Sequence, residues 1–175
     1  MQQAHANTRV ILDAWSRLAD GDTETGPSVN AVSELTRQLF VLTEADDSDY
    51  PFHRAGSAVE ALFGRDLLDH NFLTLWTETD RALCAAGMIA AREGDGPVLI
   101  HARGETLDGK VVELEFALAP LAAGPRKIRR YLGICQPLTP VEALGGRPVR
   151  RLQALAVIPP ARPHAHPMVR LVEPA

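Results

Sequence analysis

Apolar and polar positions change their period several times along the chain, and each change marks an element. Residues 8–19, TRVILDAWSRLA, place Val10, Ile11, Ala14, Trp15 and Leu18 on one side of a helix, with Arg9, Asp13, Ser16 and Arg17 on the other. Gly21, Gly26 and Pro27 then break the chain, and Ser28 to Glu34 suits a short second helix. Gln38 to Glu44, QLFVLTE, reads as a mostly buried strand. The acidic cluster from Asp46 to Asp49 reads as a turn, and Tyr50 to Ala55 as the hairpin partner, with Pro51 pointing to an edge position.

Gly56 lets the chain leave that strand sharply, and Ser57 with Glu60 fits a capping box. Val59, Leu62 and Phe63 fall on one helical face, and Gly64 suits the left-handed residue that closes the helix. Thr77 with Asp80 is a second capping signal, opening a longer helix through Arg92 with Ala82, Ala85, Ala86, Ile89 and Ala90 expected inward. Gly94, Gly96 and Pro97 end it.

Three strands follow. Val98 to Thr106 is the first, and Asp108-Gly109 a tight turn. Val111 to Leu121 is the clearest strand, with Val112, Leu114, Phe116 and Leu118 alternating with Glu113 and Glu115. Ile128 to Cys135 is the last, read with Leu132 and Ile134 inward and Arg129 and Tyr131 outward. After Pro137 the texture changes: eight of the thirteen prolines lie between Pro137 and Pro174. Arg150 to Ile158 suits an ordered element that packs back, and Pro159 to Pro167 an irregular stretch. The order predicts an α+β fold, a five-stranded antiparallel sheet with one wet side and short helices gathered on one face. It divides the chain into residues 1–27, a helix and connector suited to dimerisation; 28–137, the domain; and 138–175, a Pro/Arg-rich C-terminal extension.

Charge sharpens that division. The net charge of -4 hides nine basic against twenty acidic residues in 1–125, and nine against two in 126–175. The globular part should repel nucleic acid, while the tail, through Arg147, Arg150, Arg151, Arg162 and Arg170, should favour acidic surfaces. No apolar run approaches the ~18 residues of a membrane span, and the N-terminus lacks the features of a secretory signal, so a cytoplasmic location is expected. Cys84 and Cys135 are read as buried thiols in a reducing compartment.

Tyr50-Pro51-Phe52-His53-Arg54-Ala55-Gly56-Ser57, Phe63-Gly64-Arg65-Asp66-Leu67 and Phe72-Leu73-Thr74-Leu75-Trp76 together resemble the PAS_5 family, a PAS-like group abundant in alphaproteobacteria. Ser57 stands where that family has Thr, and Asp66 where it has Glu. The resemblance spans about residues 8–137. It implies a bacterial, non-enzymatic signalling module that senses a small ligand between sheet and helices, or contacts proteins through the sheet face and flanking helices. Partners of that kind include histidine kinases and response regulators.

The special chemistries of such domains lack their residues here. A haem ligand is expected from the long helix, but residues 77–92 hold no histidine, and His70 precedes them. Cys84 sits in RALCAAG, not in the Asn-Cys-Arg-Phe segment of a flavin photosensor. His164-x-His166 has no third ligand nearby, so neither a metal nor a cofactor is expected. No serine has a nucleophile setting and no glycine-rich loop cradles a phosphate. Glu113 and Glu115 are read as a solvated sheet surface, with acid–base work as the alternative. Arg54 and Arg65 are either structural ion pairs or a fork for an anionic ligand or acidic partner.

The candidate ligand pocket is Phe63, Trp76, Phe116, Leu118 and Leu132, with Arg54 and Arg65. The candidate dimer interface is Val10, Ile11, Ala14, Trp15 and Leu18, because a helix preceding a small core has little surface of its own to cover. A competing reading is a small α+β isomerase or dehydratase. Its strand-borne candidates are His53, His101 and Glu115, and a buried histidine–carboxylate pair in a cavity would favour it.

Overall fold

A computed structural model describes residues 4–19, 35–122 and 128–160, the side chains of Leu18 and Ala19 aside. The expected helix at Ser28 to Glu34, and Arg162 and Arg170 of the basic tail, lie outside these residues. In chain order the elements are α1 (Ala6–Ala19), β1 (Leu39–Thr43), β2 (Phe52–Ala55), α2 (Ser57–Phe63), a 3-10 turn at Phe72–Leu75, α3 (Glu78–Glu93), β3 (Val98–Glu105), β4 (Val111–Leu121), β5 (Arg130–Pro137), a second 3-10 turn at Val141–Leu144, and β6 (Arg151–Ile158). No helix among the described residues is long and apolar enough to cross a membrane.

The sheet is antiparallel with order β2-β1-β5-β4-β3-β6. It has six strands where five were expected. The added strand is β6, which lies in the Pro-rich extension and pairs with β3 from Leu99↔Ile158 to Glu105↔Arg151. The turn before it crosses the end of α2, where Val149 N donates to Leu62 O (2.9 Å). Leu152 is fully buried, and Thr77 N donates to its carbonyl (2.9 Å). Asp80, expected to cap α3, instead accepts from Thr77 Oγ1 (2.6 Å) and from Ala154 N of β6 (3.0 Å). The extension is thus stitched into the sheet and to the start of α3.

The opening of α2 also differs in detail from the capping-box expectation. Gly56 is the N-cap and no side chain caps the helix. The backbone of Arg37 does that work, its carbonyl accepting from Ala58 N (2.9 Å). A Cβ at position 56 would collide with that carbonyl, so glycine is required by close approach. Gly64 closes the helix at φ 63, as its position foretold.

Three facings were misjudged. On α3 the buried stripe is Cys84, Gly87, Met88 and Ala91, while Ala82 and Ala86 are exposed. On β5, Tyr131 and Cys135 face the helices, and Leu132 and Ile134 face the opposite side. The wet side of the sheet is partly roofed: α1 lies on it, with Ile11 and Leu12 packing near Ala117 and Ile134. Small residues, Ala117 and Ala119, and the apolar Ile134 make that strip a seat for a helix.

The main core lies between sheet and helices. Phe40, Phe52, Phe72, Trp76 and Phe116 meet with ring centroids 5.4 to 6.4 Å apart, mostly edge to face. Phe40 lies across Gly133 of β5, whose missing side chain is the space the ring fills. At the other end, Arg92 of α3 reaches Glu44 (2.5 Å) and Asp47 (2.7 Å), tying the β1–β2 hairpin to the helix.

Candidate functional site

The expected pocket residues do not form one site. Phe63, Trp76, Phe116 and Leu118 belong to the closed core, none more than 2% exposed, so the space between sheet and helices is filled by side chains. Trp76 Nε1 is buried there without a hydrogen-bond partner among the described residues, a polar group left unmatched in an aromatic interior. Leu132 is on the other face of the sheet. There it joins Arg54, Leu39, Val41, Arg37 and Ser57 around an open groove of about 440 Å³. Arg65 is exposed near the end of α2, apart from both. Neither Arg54 nor Arg65 makes an ion pair among the described residues.

A polar cluster lies on the same outer face, under the start of α1. His101 of β3 and Glu115 of β4 are directly opposite in the sheet register, and His101 Nε2 is 3.0 Å from Glu115 Oε2. The other carboxylate oxygen, Oε1, accepts from His5 N (2.9 Å), at the first turn of α1. Glu115 is 1% and His101 6% exposed. The helix start supplies orphan N–H groups and a positive dipole end, which is what a buried carboxylate needs. Asn7 Nδ2 donates to Gln136 Oε1 (3.0 Å), tying the same turn to β5. Further along α1, Trp15 Nε1 donates to the carbonyl of Pro120 (2.8 Å).

Alternation with an apolar face predicts a solvated Glu115. The alternation is correct, but that face is covered. Glu113, two residues away, is exposed as expected, and so are His53 and His70. Of the proposed helix interface, Ile11, Ala14 and Trp15 are half-buried in their own chain, while Val10 is 38% exposed. His5, Asn7 and Gln136 were missed altogether, since nothing local announces a hydrogen bond between residues more than a hundred positions apart. Among the described residues no group of histidine, cysteine and carboxylate side chains is arranged to hold a metal. Burial pushes the Cys84 thiol up to about 12 and raises that of Cys135 further, so neither is a nucleophile at neutral pH.

A family model described as "PAS domain" matches residues 3–136, most of the chain. The chain belongs to the PAS domain family.

No curated protein matches this PAS domain in sequence. Among solved structures it is similar to a light-oxygen-voltage domain studied with a flavin analogue, at 17% identity and TM-score 0.49, covering 67% of this chain and 88% of that one. It is also similar to the PAS domain of a protein from Colwellia psychrerythraea, at 16% identity and TM-score 0.46, covering 63% and 97%. A blue-light activated histidine kinase from Erythrobacter litoralis aligns at 20% identity and TM-score 0.47, covering 63% of this chain and 36% of the kinase. The family match, rather than these likenesses, carries the assignment. The match ends just before the second 3-10 turn and β6, so the strand that closes the sheet beside β3 lies beyond the family pattern.

Proposed function

We propose that this PAS domain is a non-enzymatic regulatory module that acts through protein–protein contacts, with α1 and the outer sheet face as its contact surface. The observation that carries this reading is the way α1 is held. A buried carboxylate, one amide–amide hydrogen bond, the Trp15 indole bond to the Pro120 carbonyl and a modest apolar strip fix it to the sheet. Such a helix can exchange its seat for another surface without disturbing the aromatic core. Beside it, the groove with Arg54 offers a guanidinium group to an acidic partner side chain.

On this reading the chain pairs with a second copy through the face of α1 that includes Val10, with Ile11, Ala14, Trp15 and Leu18 contributing when the helix shifts. Its signalling partner is a two-component protein such as a histidine kinase or response regulator, in a bacterial cytoplasm, and a small ligand biases the surface. Residues 1–27 then serve dimerisation, 28–137 recognition, and 138–175 a structural extension. Light scattering across a concentration series tests the pairing. A dimer mass in the wild-type chain and a monomer mass in Val10→Glu are expected, since Val10 is exposed and its replacement leaves the core intact. A wild-type chain that stays monomeric throughout removes the dimer.

The isomerase or dehydratase reading has one observation in its favour, the buried His101–Glu115 pair. A proton-transfer pair must meet its substrate. Here α1 covers the pair and Glu115 is spent on the helix start, which supports a structural use.

A further inference from the structure

The elements that join β5 to β6 enclose a groove that neither the family pattern nor the outer face accounts for. Its walls are Val59 and Leu62 of α2 and Val141 and Leu144 of the second 3-10 turn, with Cys135 and Pro137 from the end of β5. Its volume is about 320 Å³, at the lower end of the ~300–1,000 Å³ that holds small molecules. Three polar residues line it. Gln38 Oε1 is buried without a hydrogen-bond partner among the described residues. Arg37 and Arg147 stand at its rim, and no acidic residue lines it. Arg37 is engaged through Nε with Ser57 Oγ (3.3 Å) and Arg147 through Nε with Asp108 Oδ2 (3.0 Å), so the Nη groups of each remain to meet an anion.

We propose that this groove binds a small amphipathic carboxylate, a medium-chain monocarboxylic acid in chemical class. The apolar walls take the hydrocarbon chain, and the two guanidinium groups take the head. The occupant would brace the turn at residues 141–147 against α2. Because that turn feeds β6, occupancy would stabilise the strand that closes the sheet beside β3.

Calling the ligand a signal rests on the regulatory reading above; the binding itself does not. It is tested by calorimetric titration of the full chain with octanoate, octanol and octylamine as probes. Octanoate should bind saturably and raise the melting temperature, and the alcohol and amine should bind more weakly. Arg37→Gln and Arg147→Gln should each weaken octanoate roughly 2- to 5-fold, as for an exposed ion pair, and leave octanol unchanged. Ala61→Trp, an exposed change at the groove lining, should abolish binding while circular dichroism stays native. Octanoate that fails to saturate, octanol that binds as well, or binding that survives Ala61→Trp each overturns the site. Such a failure leaves the contact reading to be decided by subunit mass.

Discussion

His101 Nε2 and Glu115 Oε2 stand 3.0 Å apart on neighbouring strands, and the first turn of α1 closes over them. Removing either partner leaves the other buried and short of a hydrogen bond. A buried polar group left unsatisfied costs about 1–3 kcal/mol. Glu115→Ala and His101→Ala should therefore loosen α1 before the core melts. The chain has two tryptophans, and Trp76 is 2% exposed, so a red shift in emission at low denaturant reports the release of Trp15 from Pro120. A single transition with unshifted emission would show that the pair does not hold the helix.

Gly133 should tolerate no side chain. The Phe40 ring occupies the place of its Cβ, and overpacking a close-packed core costs about 1–3 kcal/mol. Urea unfolding of Gly133→Ala is expected to give a lower midpoint with the wild-type slope.

Leu152→Ala tests whether β6 is structural. Leu152 is fully buried and part of the main core, so the substitution should cost about 2–5 kcal/mol, the range for a buried leucine. A loss below about 0.5 kcal/mol, typical of surface changes, would mean that the strand is an ornament on the sheet.

Both tyrosines are held protonated. Burial pushes the Tyr50 hydroxyl up to about 12, helped by the nearby Glu44 and Asp47 carboxylates, and burial with Glu44 and Tyr50 raises Tyr131 further. Cys84 rises to about 12, again by burial with Asp80 adding to it. A raised folded value means that the folded chain keeps protons the unfolded chain has released. The contribution to stability is complete below pH 9, and it drains away between about pH 9 and 12, thiols before phenols. Absorbance at 295 nm should show almost no phenolate at pH 10.5 in the folded protein, and a jump on unfolding. Half-ionised tyrosine at pH 10 in the native state would contradict the burial.

Where a segment carried a strong period, its fate was legible. Val112, Leu114, Phe116 and Leu118 share one face as their alternation required, and Gly56 and Gly64 bound α2. Where apolar residues stand side by side the period gives no answer: Tyr131 and Leu132 are both suited to a core, and the sheet buries Tyr131 more deeply. The alanines of α3 hid its facing in the same way, and only Cys84 and Met88 mark the true stripe. The site was less legible than the fold. Phe63, Trp76 and Phe116 lie in the interior without Leu132, and they pack there as closed core. Glu115, a charge in a strand, reads as wet unless the roof is known. That roof is set by contacts between residues 5–15 and 99–136, a separation that no local pattern encodes.

The edges of the sheet show how this chain limits growth beyond itself. β2 is four residues long and directly preceded by Pro51; β6 is eight, and Leu155 on it is 57% exposed. The start of α3 already occupies the outer edge of β6 at Leu152 O and Ala154 N, and among the described residues the stretch from Leu155 to Ile158 is left as a template for other molecules. Pro159 and Pro160 follow it at once and carry no amide hydrogen, so a ladder started along β6 finds no donor at the two positions after Ile158. Replacing the two prolines by alanines would lift that stop, and fibre formation on storage is the cost to watch for.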